Sequence, residues 1–344
     1  IAALAAGDPA LAEGWEAQKA RIEAAAAYYK AAPDYTRQGK GSTATHKLFV
    51  ERGFDLLRSN GRLGFVIPSG IYTDLGTMEL RQMLLEEGQI EYLYNFSNER
   101  FFFPHVDHRV KFTLLGAIKG RASEGFWATF RFDPRVAVTP EGLPGFLENP
   151  ENLVFFRKKS LTRFSPDSLS VMEFQTQKDY EIMEVIYGDN PLLGQENSVW
   201  DVKFWREFDM TNARYLFNEI GHGAPLYEGK MIHQFDAAFA DPRFWIPTNE
   251  LKQTEPRLGV RAIARSTDER TLISAVLPPN VGAGNSILTL VGDISETEHL
   301  YLAALFNSLV LDAVLRFKVA TNVNMFILYQ LPVPRLVAGQ PVFD

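Results

Sequence analysis

The chain has 344 residues, enough for two or three domains of roughly 100 to 200 residues each. With 46% hydrophobic and 22% charged residues, it has the composition of a folded globular protein rather than a disordered one. The absence of cysteine excludes a disulfide framework, thiolate metal sites and cysteine nucleophiles, and it fits a reducing, cytoplasmic compartment. The net charge of -7 excludes a uniformly basic surface, so any contact with nucleic acid has to be local.

Two groups of basic residues are local in that sense: Arg157, Lys158, Lys159 and Arg163, and Arg257, Arg261, Arg265 and Arg270. Each reads as a solvated face, the commoner case, or as a basic patch. The chain opens on Ile1 rather than methionine, which suggests a piece of a longer protein. Its first seven residues are apolar but lack the basic leader of a signal peptide. The most apolar long stretch, residues 300–315, includes Asn307 and Asp312 and falls short of the roughly 20 residues of a membrane span. It reads as a core helix, with no membrane partner.

In chain order, residues 10–32 are rich in strong helix formers and Pro33 ends the pattern. Residues 34–45 are polar with two glycines and read as a loop. A helix over 45–59 follows, its apolar face formed by Leu48, Phe49, Phe54, Leu56 and Leu57, with Asn60-Gly61 as its stop. The run RLGFVIP at 62–68 then predicts a strand buried on both faces. Another helix is expected over 77–87, and the β-rich runs 90–96 and 110–118 flank an aromatic loop. Helix, strand, helix, strand, loop, strand is α/β grammar, and a parallel sheet closed by a hairpin is the expected form.

Beyond residue 126 the pattern loosens, and Pro134, Pro140, Pro144 and Pro150 suggest that the chain leaves its first domain. The predicted division is a first domain at 1–125, a connecting region at 126–220 with a helix over 179–188, and a second domain at 221–344. The second domain is β-rich over 225–290, helical over 300–317 and closed by a proline-punctuated terminus at 329–334. In RLGVRAIAR, at 257–265, strict alternation puts Arg257, Arg261 and Arg265 on one face of a strand and Leu258, Val260, Ala262 and Ala264 on the other. Such a strand presents a basic face either to phosphates or simply to water. The turn that follows carries Arg270, which has the reach for a phosphate or a guanine edge.

No GxSxG elbow, P-loop or HExxH helix is present. His105 and His108, with Asp107 between them, match no familiar metal-site spacing and lack a third ligand, so no metal is assigned. The same loop, RFFFPHVDHRVK at 100–111, carries Phe101, Phe102 and Phe103 ahead of Pro104. Three phenylalanines there are either core or a platform for a planar ligand beyond the strand ends.

The succession THKLFVERGFDLLRSNGRLGFVIPSG, LRQMLL and SNERFFFPHVDHRVKF resembles the end of the catalytic domain in large adenine-specific (N6) DNA methyltransferases. These include the type IIG restriction-modification enzymes and the methyltransferases of BREX- and DISARM-like phage defence. PLYEGKMIHQFD, RAIARSTDERTLISAVLPP, YLAALFNSLVLDAVLRF and QLPVPRL resemble the target-recognition domain that follows in the same family. The resemblance implies the C-terminal part of a Rossmann-like class I methyltransferase domain followed by a mixed α+β recognition domain. It implies double-stranded DNA as partner, alongside other restriction or phage-defence subunits, and S-adenosylmethionine as cofactor. It also implies that Phe103, with Phe102 as its neighbouring alternative, packs against a flipped adenine.

His105, Asp107, His108 and Arg109 would then line the base loop, with Arg109 or Lys111 on backbone phosphate. Tyr227, Lys230 and Gln234 would face DNA from the second domain. The glycine-containing donor motif and the NPPY-type tetrapeptide of the family are absent, so the chain has no identifiable catalytic residues. The alternative is a non-catalytic DNA-binding specificity module acting with separate catalytic subunits.

Overall fold

The computed structural model describes residues 7–39, 43–194, 200–319 and 322–336. The apolar start at 1–6 and part of the polar loop, 40–42, lie outside the described residues. The chain forms two compact units, Ile1–Tyr180 and Glu181–Asp344.

The first unit opens with the helix Pro9–Ala31. Asp8 caps it by accepting from the Leu11 amide at 3.0 Å, and Pro9 takes the first position, where no amide proton is needed. In the next helix, Thr45–Asp55, Leu48, Val50 and Phe54 face inward whereas Phe49 and Leu56 are exposed. Two of the five residues of the expected apolar face therefore point to solvent. Glu51, fully buried on this helix, accepts the backbone amides of Thr36 at 2.7 Å and Arg37 at 2.9 Å, which fixes the incoming loop. Asn60, at a φ of 60°, turns the chain as its pairing with Gly61 suggests.

Five strands form one sheet in the order β1 (Arg62–Pro68), β3 (Lys111–Lys119), β2 (Gly88–Ser97), β4 (Gly125–Arg131) and β5 (Val154–Arg157). The expected hairpin is present as β2 and β3, but β3 inserts between β1 and β2 and pairs antiparallel with both. The parallel pair is β2 with β4. Strand β1 is an edge strand, not a strand buried on both faces: Gly64, Val66 and Pro68 are exposed. The run of apolar residues misleads there because only one face of the sheet is covered. The sheet also continues through 125–157, where a connecting region is expected, because Phe126, Ala128, Phe130, Val154 and Phe156 are buried.

The covered face packs Leu93, Leu115, Ala128 and Phe156 with Leu80, Met83 and Leu84 of the helix Met78–Glu86. Asn95 crosses this core, donating to the carbonyls of Leu93 and Thr129 and accepting from the Thr113 hydroxyl at 2.8 Å. The hydrogen bonds to Thr129 and Thr113 tie β2 to its two neighbours, β4 and β3.

The second unit contains an antiparallel sheet in the order β10 (Ser274–Leu277), β9 (Arg257–Arg261), β12 (Ile287–Gly292) and β6 (Val202–Trp205). A smaller sheet joins β11 (Gly282–Ala283), β7 (Ala224–Tyr227) and β8 (Phe244–Ile246). The helical stretch expected over 300–317 is two helices, Glu296–Phe306 and Leu309–Arg316, bent by 62°. The break sits at buried Asn307, whose side chain exchanges two hydrogen bonds with the Ser274 backbone. No single helix among the described residues is long and apolar enough to cross a membrane. The whole is a mixed α/β architecture with an additional β-rich region.

Candidate nucleic-acid interface

The loop between β2 and β3 is organised by one side chain. Asn98, fully buried, accepts the Phe103 amide at Oδ1 (2.9 Å) and donates from Nδ2 to the carbonyls of Phe103 (2.9 Å) and Val106 (2.8 Å). Its own amide donates to Val110 O at 2.9 Å, which closes the base of the loop. Within this frame Phe102 turns inward, its ring centroid 5.3 Å from Phe112 and 6.1 Å from Phe96. Phe103 stands edge-on to Phe112 at 5.1 Å and keeps 39% of its surface exposed. A ring braced on one edge and open on the other is preorganised to receive a planar partner. Of Phe102 and Phe103, Phe103 is the one whose ring is exposed.

The loop's charges are largely spent on one another. Asp107 accepts the Arg109 amide at 2.9 Å and its guanidinium at Nε (3.0 Å) and Nη2 (2.8 Å). Those hydrogen bonds, the side-chain ones foremost, hold the Asp107 carboxyl well below the usual carboxylate range. His108 Nδ1 lies 3.0 Å from Glu99 Oε1. Among the described residues no group of three or more His, Asp or Glu is placed to hold a metal ion. Lys111 is also engaged: its Nζ lies 3.1 Å from Glu173 Oε2 and 3.7 Å from the centroid of the Phe132 ring. The Tyr72 hydroxyl donates to the same carboxylate at 2.9 Å.

In the second unit the expected basic face is only partly on the surface. Arg257 is buried at 2% exposure, with Nε donating to Glu207 Oε1 at 2.7 Å and Nη2 to the Val281 carbonyl at 2.8 Å. The strand is five residues long with residues 257–260 all buried, so both of its faces meet protein at that end. Arg257 is an internal ion pair and not a DNA contact. Arg261 spends Nε on Gly229 O (2.9 Å) and Nη2 on Ile232 O (2.6 Å), bracing the segment that carries Lys230. Arg270 donates to Asn307 O at 2.6 Å and lies 3.6 Å from Asp312, with its side chain 13% exposed. Tyr227 is buried, and Gln234 donates to Asn307 O at 3.3 Å. Lys230, itself exposed and paired with the half-buried Glu228, and Arg265 remain at the surface.

Asn98 escapes sequence reasoning, which names Phe101 only as one of three loop aromatics. The signal for Asn98 is an asparagine at the end of a strand pattern, where its amide mimics backbone in turns. A separate cavity of about 720 Å³ in the second unit is lined by Glu255, Arg257, Glu296 and His299 among others. His299 Nδ1 accepts the Leu258 amide at 3.3 Å there, and burial lowers its imidazole pKa.

Residues 17–102 match the family model of the Eco57I restriction-modification methylase, a match that ends inside the aromatic loop. This segment is related at family level to restriction-modification methylases. None of the curated proteins matches the chain significantly. Similar solved structures include the type IIG restriction endonuclease BpuSI, at 13% identity over 90% of this chain and 44% of that one, with a TM-score of 0.38. The type IIL restriction-modification enzyme MmeI in complex with DNA matches at 10% identity over 78% of this chain and 38% of that one, TM-score 0.42. A nuclease-deletion mutant of the type ISP restriction-modification enzyme LlaGI, in complex with a DNA substrate mimic, matches at 12% identity over 87% and 32%, TM-score 0.42. The chain spans less than half the length of each of these structures.

Proposed function

We propose that this chain is part of a DNA adenine-N6 methyltransferase of the restriction-modification kind, or of a related phage-defence system. In this reading it supplies one wall of the target-base pocket and a DNA-recognition unit. The observation that carries the reading is the half-exposed Phe103 ring, fixed by Asn98 at the tip of a hairpin that adjoins the methylase-related segment.

An adenine taken out of the duplex loses its stacking partners, and an aromatic face recovers about 1–3 kcal/mol of that loss. The exocyclic amine is a poor nucleophile, so orienting it matters more than a covalent intermediate. A base held flat against Phe103 loses rotational freedom about its glycosidic bond, which is the contribution this chain makes to that orientation. Arg265 and Lys230, exposed on the second unit, are the groups assigned to backbone phosphate.

S-adenosylmethionine would supply the methyl group. The described residues do not form a cradle for it. The loop after β1 is closed on itself by buried Arg81, which donates to the carbonyls of Ile71, Asp74 and Ser168 and to the Thr77 hydroxyl. No step is therefore assigned to residues of this chain toward the donor.

The test is genomic. Phe103→Ala is introduced at the chromosomal locus, and the host DNA is sequenced for N6-methyladenine. Loss of the modification from one recurring sequence, restored by Phe103→Trp, is the expected result. An unchanged methylation pattern would sink the proposal.

A further inference from the structure

Phe101 is the other outward aromatic of the same loop, and its backbone is unusual. It ends the short turn Asn98–Arg100 at φ 53° and ψ 47°, in the left-handed region that glycine or asparagine normally occupies at a helix end. Its amide donates to Asn98 O at 2.8 Å, closing the turn on the same asparagine that holds Phe103. The side chain is 57% exposed. A left-handed backbone at a non-glycine residue and an apolar ring largely in water are both unfavourable.

The surroundings indicate what the ring meets. Between residues 101 and 110, Phe101, Phe103, Val106 and Val110 are all at least 39% exposed, forming an apolar rim. The charges beside it cancel: Glu99 and Asp107 stand against Arg100 and Arg109. Arg109 is held by Asp107, and Arg100 donates to Pro134 O at 3.2 Å. Drawing Arg109 away to a phosphate would leave Asp107 facing the polyanion uncompensated. A neutral, apolar, aromatic tip is suited to nucleobase faces and poorly suited to the backbone.

We infer that Phe101 is a second base-contacting residue, stacking on a nucleobase next to the one that Phe103 receives. The inference rests on the base-pocket reading of Phe103. Phe102, between them, packs inward, so residues 101 and 103 emerge on the outer side while 102 anchors the loop.

The experiment uses the 344-residue chain and a duplex with one adenine opposite an abasic site, so that the base is already unpaired. Affinity is measured across a range of salt, with thermal stability alongside. Phe101→Gly removes the ring and suits the left-handed backbone. It is expected to weaken binding about tenfold at every salt concentration, with an unchanged salt slope and a melting temperature equal to or above that of the parent chain. Phe101→Tyr is expected to restore affinity. Normal binding by Phe101→Gly with weakened binding by Phe103→Ala would overturn this assignment and leave the base pocket standing. Normal binding by both variants would overturn the pocket and this inference with it. A fall in melting temperature with Phe101→Gly would show that the ring is structural, which also overturns the assignment.

Discussion

Asn98 grips Phe103 at both ends of the residue, accepting its amide and donating to its carbonyl, each at 2.9 Å. The arrangement makes the ring's position a property of a fully buried side chain rather than of a mobile loop. Replacing Asn98 by Ala leaves the Phe103 amide and two carbonyls without their partners, at a cost of about 1–3 kcal/mol per buried group left unpaired. Urea unfolding of Asn98→Ala should show that loss. Asn98→Asp keeps the acceptor for the Phe103 amide but turns a buried carboxylate oxygen toward two carbonyls, and a loss at least as large is expected. Parent-like stability in both variants would remove Asn98 as the organiser.

Arg257 and Glu207 form a pair with both side chains almost wholly buried. Removing one partner strands the other charge, so Arg257→Ala should cost about 3–5 kcal/mol. Replacing both residues by apolar ones of similar size should recover much of it. DNA affinity measured against salt should keep its slope in any variant that folds; a slope lowered by about one would return Arg257 to the interface.

Arg261 and Arg265 lie four residues apart and behave differently. Arg261→Ala is expected to lower thermal stability, because two backbone carbonyls lose a donor, and to leave the salt slope of DNA binding unchanged. Arg265→Ala is expected to leave stability within about 0.5 kcal/mol and lower the slope by about one. The reverse pattern would exchange their roles.

Lys318 retains some exposed surface, yet its ammonium is enclosed, donating to Gln330 Oε1 at 3.0 Å. Burial pulls its pKa down to about 7. The unfolded chain, with a lysine pKa near 10.4, binds a proton through the window that the folded chain does not. Stability therefore rises as the pH is raised from about 7 toward 10. Subtracting the stability curve of Lys318→Met from that of the parent chain should isolate this rise. A difference that is flat across the window would refute the assignment.

Local pattern carried the hairpin: the β-rich runs on either side of the aromatic loop are β2 and β3. It did not carry strand order, because an apolar run such as 62–68 reads the same at a sheet edge as at its centre. Alternation put Arg257 and Arg261 on a common face, but whether that face looks outward depends on Glu207, fifty positions away. The helix break at Asn307 was likewise hidden, since its partner Ser274 lies on a strand distant in sequence. The loop between β2 and β3 was legible as an aromatic cluster. Which ring points out was decided by Asn98 and by Phe112, contacts that spacing does not reveal.

Phe103 is proposed to meet an unpaired adenine. The most direct measurement compares the affinity of the chain for a duplex with adenine opposite an abasic site and for the same duplex with that adenine also removed. The parent chain should prefer the adenine-bearing duplex by about fivefold or more, the lower end of a single stacking contribution, and Phe103→Ala should abolish the preference. Equal affinities in the parent chain, or a preference that survives in Phe103→Ala, would contradict it.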